Sequence, residues 1–161
     1  TYYNRLRDTH GNTNILDVFV PPWASQFIMI VQMEAKWDGQ VRDVLMSALT
    51  GPNLHVKVAI AVDEDVDIYN AEDVLWAISC RMDPAKEVHI LPDSRLHPLD
   101  LSIPQVGDDY TVMRIGGKMA IDATKPPTWR AKERSQFTRV DPMGKRDPEI
   151  QRILEQVRQP R

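Results

Sequence analysis

Four carboxylates crowd one short stretch of the chain, Asp63, Glu64, Asp65 and Asp67, directly after the apolar residues 56–62. Oxygen ligands at that density can hold a divalent cation such as Mg²⁺. With Lys118 brought close by folding, they would also suit a phospho-receiver site. The same residues serve as well as a solvated turn whose charge favours the N-terminus of the helix behind it. A receiver further needs a lone acceptor aspartate at a later strand end, and the next strand ends in Leu91-Pro92 instead. The histidines, His10, His55, His89 and His97, have no metal-ligand spacing. His89 falls inside a strand pattern and reads as half-buried. His55 opens a strand and His97 sits in a loop, so each could face a ligand or solvent. Cys80 lies on a helix between Ser79 and Arg81 and reads as a small packed side chain. Gly116-Gly117-Lys118 lacks the rest of a phosphate loop and reads as a tight turn. No Ser-His-Asp set, zinc motif or dinucleotide fingerprint is present, and the residues alone reveal no catalytic machine.

The elements that must carry these groups follow from periodicity. Residues 15–20 predict a strand stopped by Pro21-Pro22, and residues 27–34 a longer, central one. Asp38 is a candidate N-cap for a helix with Val41, Val44, Leu45, Ala48 and Leu49 on one face, ended by Gly51-Pro52. Residues 56–62 predict a buried strand. Asn70 caps the next helix, with Asp73 three residues on approximating a capping box and Val74, Leu75, Ile78 and Met82 as its stripe. Residues 87–91 form another strand. Strand, helix, strand, helix, strand with short links argues for βαβ crossovers and a largely parallel sheet, the earlier strands adding an antiparallel part. The fold class is therefore α/β, a mixed and partly parallel sheet with covering helices.

Beyond lies a long proline-bearing loop over residues 91–109, then two short strands, 111–115 and 118–121, around Gly116-Gly117. Residues 125–146 are basic and irregular. A terminal helix follows with Asp147 as cap, Pro148 at its first position and Ile150, Ile153, Leu154 and Val157 along one face. So short a helix is marginal alone and must dock somewhere, a second subunit included. Trp23, Trp37, Trp76 and Trp129 read as core or interface anchors.

Length and charge set the outer bounds. A chain of 161 residues with 42% hydrophobic and 27% charged residues suits one domain with an extended tail. One cysteine excludes an internal disulfide and a cysteine zinc site, and points to a cytoplasmic setting. No apolar stretch approaches the ~18 residues of a membrane span. The first residue is Thr, which reads as a fragment or a processed product. Residues 1–124 carry 10 Lys/Arg against 18 Asp/Glu, whereas residues 125–161 carry 10 against 5. A basic tail on an acidic body suggests that the tail lies on that body or on a neighbouring copy. Nucleic acid is disfavoured, since the body would repel phosphate.

Three segments together resemble one known family. Asp63-Glu64-Asp65-Val66-Asp67, Asp73-Val74-Leu75-Trp76-Ala77 and Arg81-Met82-Asp83-Pro84 follow the acidic turn, helix and Arg-x-Asp-Pro ending of the carboxyl-terminal domain in UbiD-type decarboxylases. Lys118-Met119-Ala120-Ile121-Asp122-Ala123-Thr124 resembles that family's Lys-to-Asp-Ala-Thr stretch, with Ala120 where Gly is common. Trp37-Asp38-Gly39-Gln40-Val41 is similar to its Pro-Gly-Gln-Ala turn, with substitutions. The likeness covers residues 15–127.

The resemblance implies a non-oxidative, reversible decarboxylase of aromatic, heteroaromatic or α,β-unsaturated carboxylic acids, using prenylated FMN with a divalent metal (Mn) and potassium. The family's catalytic Arg and two Glu and its cofactor-binding residues belong to other domains, and nothing here matches them. No catalytic, cofactor or metal residue is carried over, and the fragment alone is expected to be inactive. What the resemblance assigns to such a domain is capping of the flavin site and construction of a homodimer or larger assembly. His97, Pro98 and Leu99 would line the substrate pocket, with Leu54 and His55 approaching the same cleft through the link at Asn53. His97 stands where some relatives carry an aromatic residue, which favours a phenolic or otherwise hydrogen-bonding ring. The division implied is a lead-in over residues 1–14, the α/β domain over 15–124, and a basic oligomerising arm and helix over 125–161. The acidic cluster becomes a conformational turn. A non-catalytic assembly domain or separate small subunit that binds no flavin is the alternative. An isolated domain using the acidic strand end for Mg²⁺ is a third.

Overall fold

The computed structural model describes residues 2–9, 11, 14–50, 54–104 and 114–138. The helix expected over residues 147–157, the 51–52 helix stop, Asn53 and His10 lie outside these. A short helix α1 (Tyr2–Asn4) and a π-helical turn (Arg5–Thr9) lead into strand β1 (Ile15–Phe19), strand β2 (Ile28–Met33) and helix α2 (Gln40–Thr50). Strand β3 (Val58–Val62), helix α3 (Ala71–Arg81), the single turn α4 (Pro84–Glu87), strand β4 (Val88–Leu96) and strand β5 (Arg114–Ala123) follow, and α5 (Ala131–Arg134) sits between two 3₁₀ turns.

The five strands form one sheet in the order β1-β2-β3-β5-β4. β2, β3 and β5 run parallel, with Ile30 beside Ile60 and Ile60 beside Ile121. β1 and β4 pair antiparallel at the two edges. The mixed, partly parallel α/β sheet is as the periodicity predicts. One link differs: α3 does not complete a parallel crossover, because β4 skips a place and β5 later fills it. Only β2-α2-β3 is a βαβ unit of neighbouring strands.

Side-chain alternation divides the core in two. Met29, Val31, Met33, Ala59, Ala61 and Ala120 point to one face and meet Val41, Val44, Leu45, Ala48 and Leu49 of α2. Leu6 joins this cluster, so the polar lead-in contributes a fully buried side chain. Ile30, Ile60, Val62, Ile121 and Ala123 point the other way and meet Val74 and Ala77 of α3.

The later part of the chain departs most from expectation. β4 continues through Pro92 to Leu96 rather than ending at Leu91. Proline is tolerated because this is an edge strand, and a register shift between Leu91 and Ser94, with Asp93 at φ 52°, absorbs the break. The two short strands around Gly116-Gly117 are one continuous strand. Gly116 is no turn residue: a Cβ there would stand 2.6 Å from Ile103 Cδ1 and 2.8 Å from Leu96 Cδ1. Gly116→Val should therefore cost about 1–3 kcal/mol in urea unfolding, with Gly117→Ala nearly neutral.

Smaller corrections follow from burial. Asn70 caps α3 by accepting from the Glu72 N–H, and the Asp73 carboxylate accepts from the Asp67 N–H at 2.7 Å. Leu75 and Cys80 are exposed, because α3 covers only one end of the sheet and shows its far side to solvent. Asp38 does not cap α2; the Gln40 side chain instead accepts from the Lys36 and Trp37 N–H groups. Trp23, Trp37 and Trp129 are exposed and do not anchor the core.

Candidate functional site

Two clefts open at opposite ends of the parallel strands. The one at the amino ends has a volume of about 610 Å³. The link into β3 and the turn after β4 both pass this edge, so His55 and His97 meet there. Their rings stack at 3.9 Å between centroids with 21° between planes. Phe27, Gln26, Leu99 and Leu101 complete the walls. Ser25 and Gln26 reach it through two successive left-handed residues, φ 51° and 65°. Burial and the neighbouring His55 push the His97 imidazole below its usual value, which favours the neutral ring. The cleft is apolar on its rim, with Leu99 66% and Leu101 85% exposed.

Of the residues predicted for a pocket, His55, His97 and Leu99 come together in this cleft. Pro98 occupies the second position of a turn closed by the Asp100 N–H to the His97 carbonyl at 3.0 Å. Leu54 lies apart, beside Thr50, Arg95 and Lys118 in a separate hollow.

The acidic turn follows the carboxyl end of β3, and it is solvated only in part: Glu64, Asp65 and Asp67 are exposed, whereas Asp63 is not. Asp63 is completely buried, taking Arg81 at 3.1 Å, Arg134 at 2.9 Å and the Lys125 N–H at 2.5 Å. Arg81 bridges on to Asp65 at 2.6 Å, Lys125 reaches Glu64 and Asp65, and Arg134 also holds Glu64 at 2.8 Å. Burial pushes the Asp63 carboxyl up to about 6, with the Lys125 N–H and the cations opposing the rise. Burial pushes Glu64 and Asp65 up too, but hydrogen bonds from Arg134, Lys125 and Arg81 outweigh it and hold both below their ordinary values. The Arg81 guanidinium also lies 4.8 Å over the Trp76 ring.

This arrangement overturns the Mg²⁺ reading of the cluster. Its carboxylates converge on cations, and no group of three or more His, Cys, Asp or Glu that could hold a metal occurs among the described residues. Lys118 cannot serve a receiver site here, since its Nζ donates to the Leu49 carbonyl at 2.7 Å. Of the two seats the charge asymmetry left open, the chain's own body or a neighbouring copy, residues 125–138 take the first. Thr128 N–H to Ala35 O at 2.8 Å and Arg130 to Asp38 at 3.3 Å extend the contact. A cleft of about 370 Å³ beside it holds Arg42 against His89, with the half-buried Asp122 also in its lining. Burial pushes the Asp122 carboxyl up, against hydrogen bonds from Thr124.

Sequence reasoning missed the residues that fix the first cleft. Asp100 is buried and paired with Lys57 at 3.1 Å, and Arg114 donates to the Ile103 carbonyl at 2.6 Å. The only local signal was Asp100 two residues before Ser102, the spacing of an Asx turn.

Comparison with known proteins places the chain in a family. The family described as 3-octaprenyl-4-hydroxybenzoate carboxy-lyase C-terminal domain, UbiD_C, matches residues 2–123. An uncharacterized protein of Archaeoglobus fulgidus is 34% identical over 118 residues, covering 72% of this chain and 23% of that protein. The UbiD-class enzyme HmfF from Pelotomaculum thermopropionicum, in complex with FMN, superposes with TM-score 0.71 at 23% identity, over 98% of this chain and 32% of its own; at that identity the likeness is one of fold. Vanillic acid decarboxylase of Sedimentibacter hydroxybenzoicus in its open form gives TM-score 0.68 at 25% identity, over 97% of this chain and 31% of its own. A closed form of the same enzyme is also similar, at TM-score 0.65. The chain thus spans about a third or less of each of these relatives. No described helix is long and apolar enough to cross a membrane. With its family's model matched from the first helix to the end of β5, this chain belongs to the UbiD carboxyl-terminal domain family.

Proposed function

We propose that this chain caps the acid-binding site of a UbiD-like carboxy-lyase, which non-oxidatively decarboxylates an aromatic, heteroaromatic or α,β-unsaturated acid, and that it contributes to the enzyme's assembly. Prenylated FMN, with Mn and potassium, supplies the electron sink when bound elsewhere in the complete protein. The acidic turn does not fit that group: the Asp63, Glu64 and Asp65 carboxylates are spent on Arg81, Arg134 and Lys125. Its own part is to exclude water and to orient the acid as the domain closes. The observation that carries this reading is the convergence of His55, His97 and Leu99 on one cleft rimmed by exposed leucines. The open and closed forms of the vanillic acid decarboxylase support closure as the relevant motion.

On this reading residues 15–124 form the capping body. Assembly falls to residues 125–161 and to the sheet face that α3 leaves bare, where Ile90 and Ile115 are exposed. Within that arm, residues 125–138 also hold their own body through the Asp63 network.

His97 would hydrogen-bond a ring hydroxyl. In the complete enzyme His97→Phe should reduce kcat/KM for a phenolic acid about tenfold while sparing its unhydroxylated parent, on the scale of one lost hydrogen bond. Steady-state kinetics on the two acids decides it, and an unchanged ratio would refute the role.

A further inference from the structure

The turn that carries His97 and Leu99 is held from two strands at once. Lys57, the residue before β3, places its Nζ 3.1 Å from both Asp100 carboxylate oxygens and 2.9 Å from Ser102 Oγ. Asp100 also accepts from Ser102 N at 3.0 Å and Ser102 Oγ at 2.7 Å. Arg114, the first residue of β5, donates to the carbonyls of Asp100 and Ile103 and is itself buried. Ile103 then packs over Gly116, where no side chain intervenes. A buried carboxylate gripped by one cation, with its backbone gripped by another, is a costly arrangement unless its groups are paired, and here both Asp100 oxygens, Lys57 Nζ and Arg114 Nη1 are.

That grip reaches the histidine ring. Pro98 fixes φ in the turn from His97 to Asp100, and the Asp100 N–H closes it on the His97 carbonyl at 3.0 Å. The Leu99 N–H is thereby aimed at His97 Nδ1, 3.2 Å away. An amide N–H can only donate, so Nδ1 must be the ring's acceptor and the proton of the neutral ring sits on Nε2. The stacked His55 ring closes one face of the imidazole.

We infer that Asp100, clamped by Lys57 and Arg114, is a positioning residue that fixes His97 in its Nε2–H tautomer, so that the cleft offers a hydrogen-bond donor and selects a substrate oxygen acting as acceptor. The substrate half of this inference rests on the proposed function, and the tautomer half does not. A free or mobile loop would let the ring flip between tautomers and accept or donate indifferently. The clamped one discriminates: a ring oxygen with a lone pair gains a partner, and a bare ring carbon leaves Nε2–H unpaired.

The test uses the complete protein with ¹⁵N-labelled histidine, comparing wild type with Asp100→Ala, Asp100→Asn and the milder Ser102→Ala. Imidazole ¹⁵N shifts without substrate should show a single Nε2–H tautomer for His97 in wild type and a mixture in Asp100→Ala. Asp100→Asn, which keeps the Ser102 hydrogen bonds, should restore most of the single form. In parallel, the kcat/KM ratio of a ring-hydroxylated acid to its parent should fall about tenfold in Asp100→Ala, the loss going into KM. A mixed tautomer with an unchanged ratio would uphold the positioning role and show that the cleft does not face the acid. A single Nε2–H tautomer persisting in both Asp100→Ala and Ser102→Ala would overturn the inference whatever the activity.

Discussion

Replacing Arg81 with Met should lower the unfolding free energy by about 3 kcal/mol at pH 7, the scale for stripping one partner from a buried ion pair. The Arg81 side chain is 1% exposed and stands between a fully buried Asp63 and a partly exposed Asp65. Met keeps the volume and the contact with the Trp76 ring but leaves Asp63 with Arg134 and the Lys125 N–H alone. The destabilisation should shrink at pH 5, where Asp63 can take up a proton instead of remaining an undercompensated charge. Urea unfolding at the two pH values measures both effects. A loss below about 1 kcal/mol at pH 7, or one that does not change with pH, would contradict this account of the network.

Stability should rise as pH falls from 7 towards 4.5, the reverse of ordinary acid denaturation. Asp63 has its carboxyl raised from 3.8 to about 6 by burial. An acid whose folded value lies above its unfolded one contributes stability that is complete below the unfolded value and is lost as pH climbs through the folded one. A shift of that size corresponds to about 3 kcal/mol. Glu64 and Asp65 act in the opposite sense, since their lowered values add stability above the ordinary carboxylate range that is lost as pH falls through it. The sum is a maximum on the acid side of neutrality. Asp122, also raised by burial, adds to the rise and His97, lowered by burial, opposes it, so Asp63→Asn should remove most of the rise between pH 7 and 4.5 and leave the fall below it. Thermal unfolding across that range shows it directly, and a wild-type profile flat or falling from pH 7 to 5 would refute the assignment.

The sequence made the central sheet legible because β2, β3, α2 and α3 are strongly periodic and each meets a clear stop. Asn70 before α3 is the plainest case, a short polar side chain where a cap must be. Where two signals compete, local reading chose wrongly. Pro92 marks a strand end in most settings but not on an edge, and Gly116-Gly117 marks a turn unless close packing demands the missing Cβ. Neither the edge position of β4 nor the approach of Ile103 is a local property. The same limit governs the sites. Charge counts implied that the basic segment meets the acidic body, but the pairing of Arg134 and Arg81 with Asp63 spans 71 and 18 residues of chain. The pocket residues emerged from family resemblance, and geometry joins His55 to His97 while setting Leu54 apart. Asp100, Lys57 and Arg114 carry no motif at all, since what makes them matter is that two strands and one turn arrive at the same place.

The claim at the centre of this account is that the His55–His97 cleft faces the acid being decarboxylated. The most direct measurement is a structure of the complete protein with flavin and an aromatic acid bound. The account predicts the acid's ring against Leu99, with a ring or carboxylate oxygen within hydrogen-bond reach of His97. A bound acid lying elsewhere, with the His55–His97 cleft open to solvent or pressed against a second copy, would contradict it and leave this domain a part of the assembly alone.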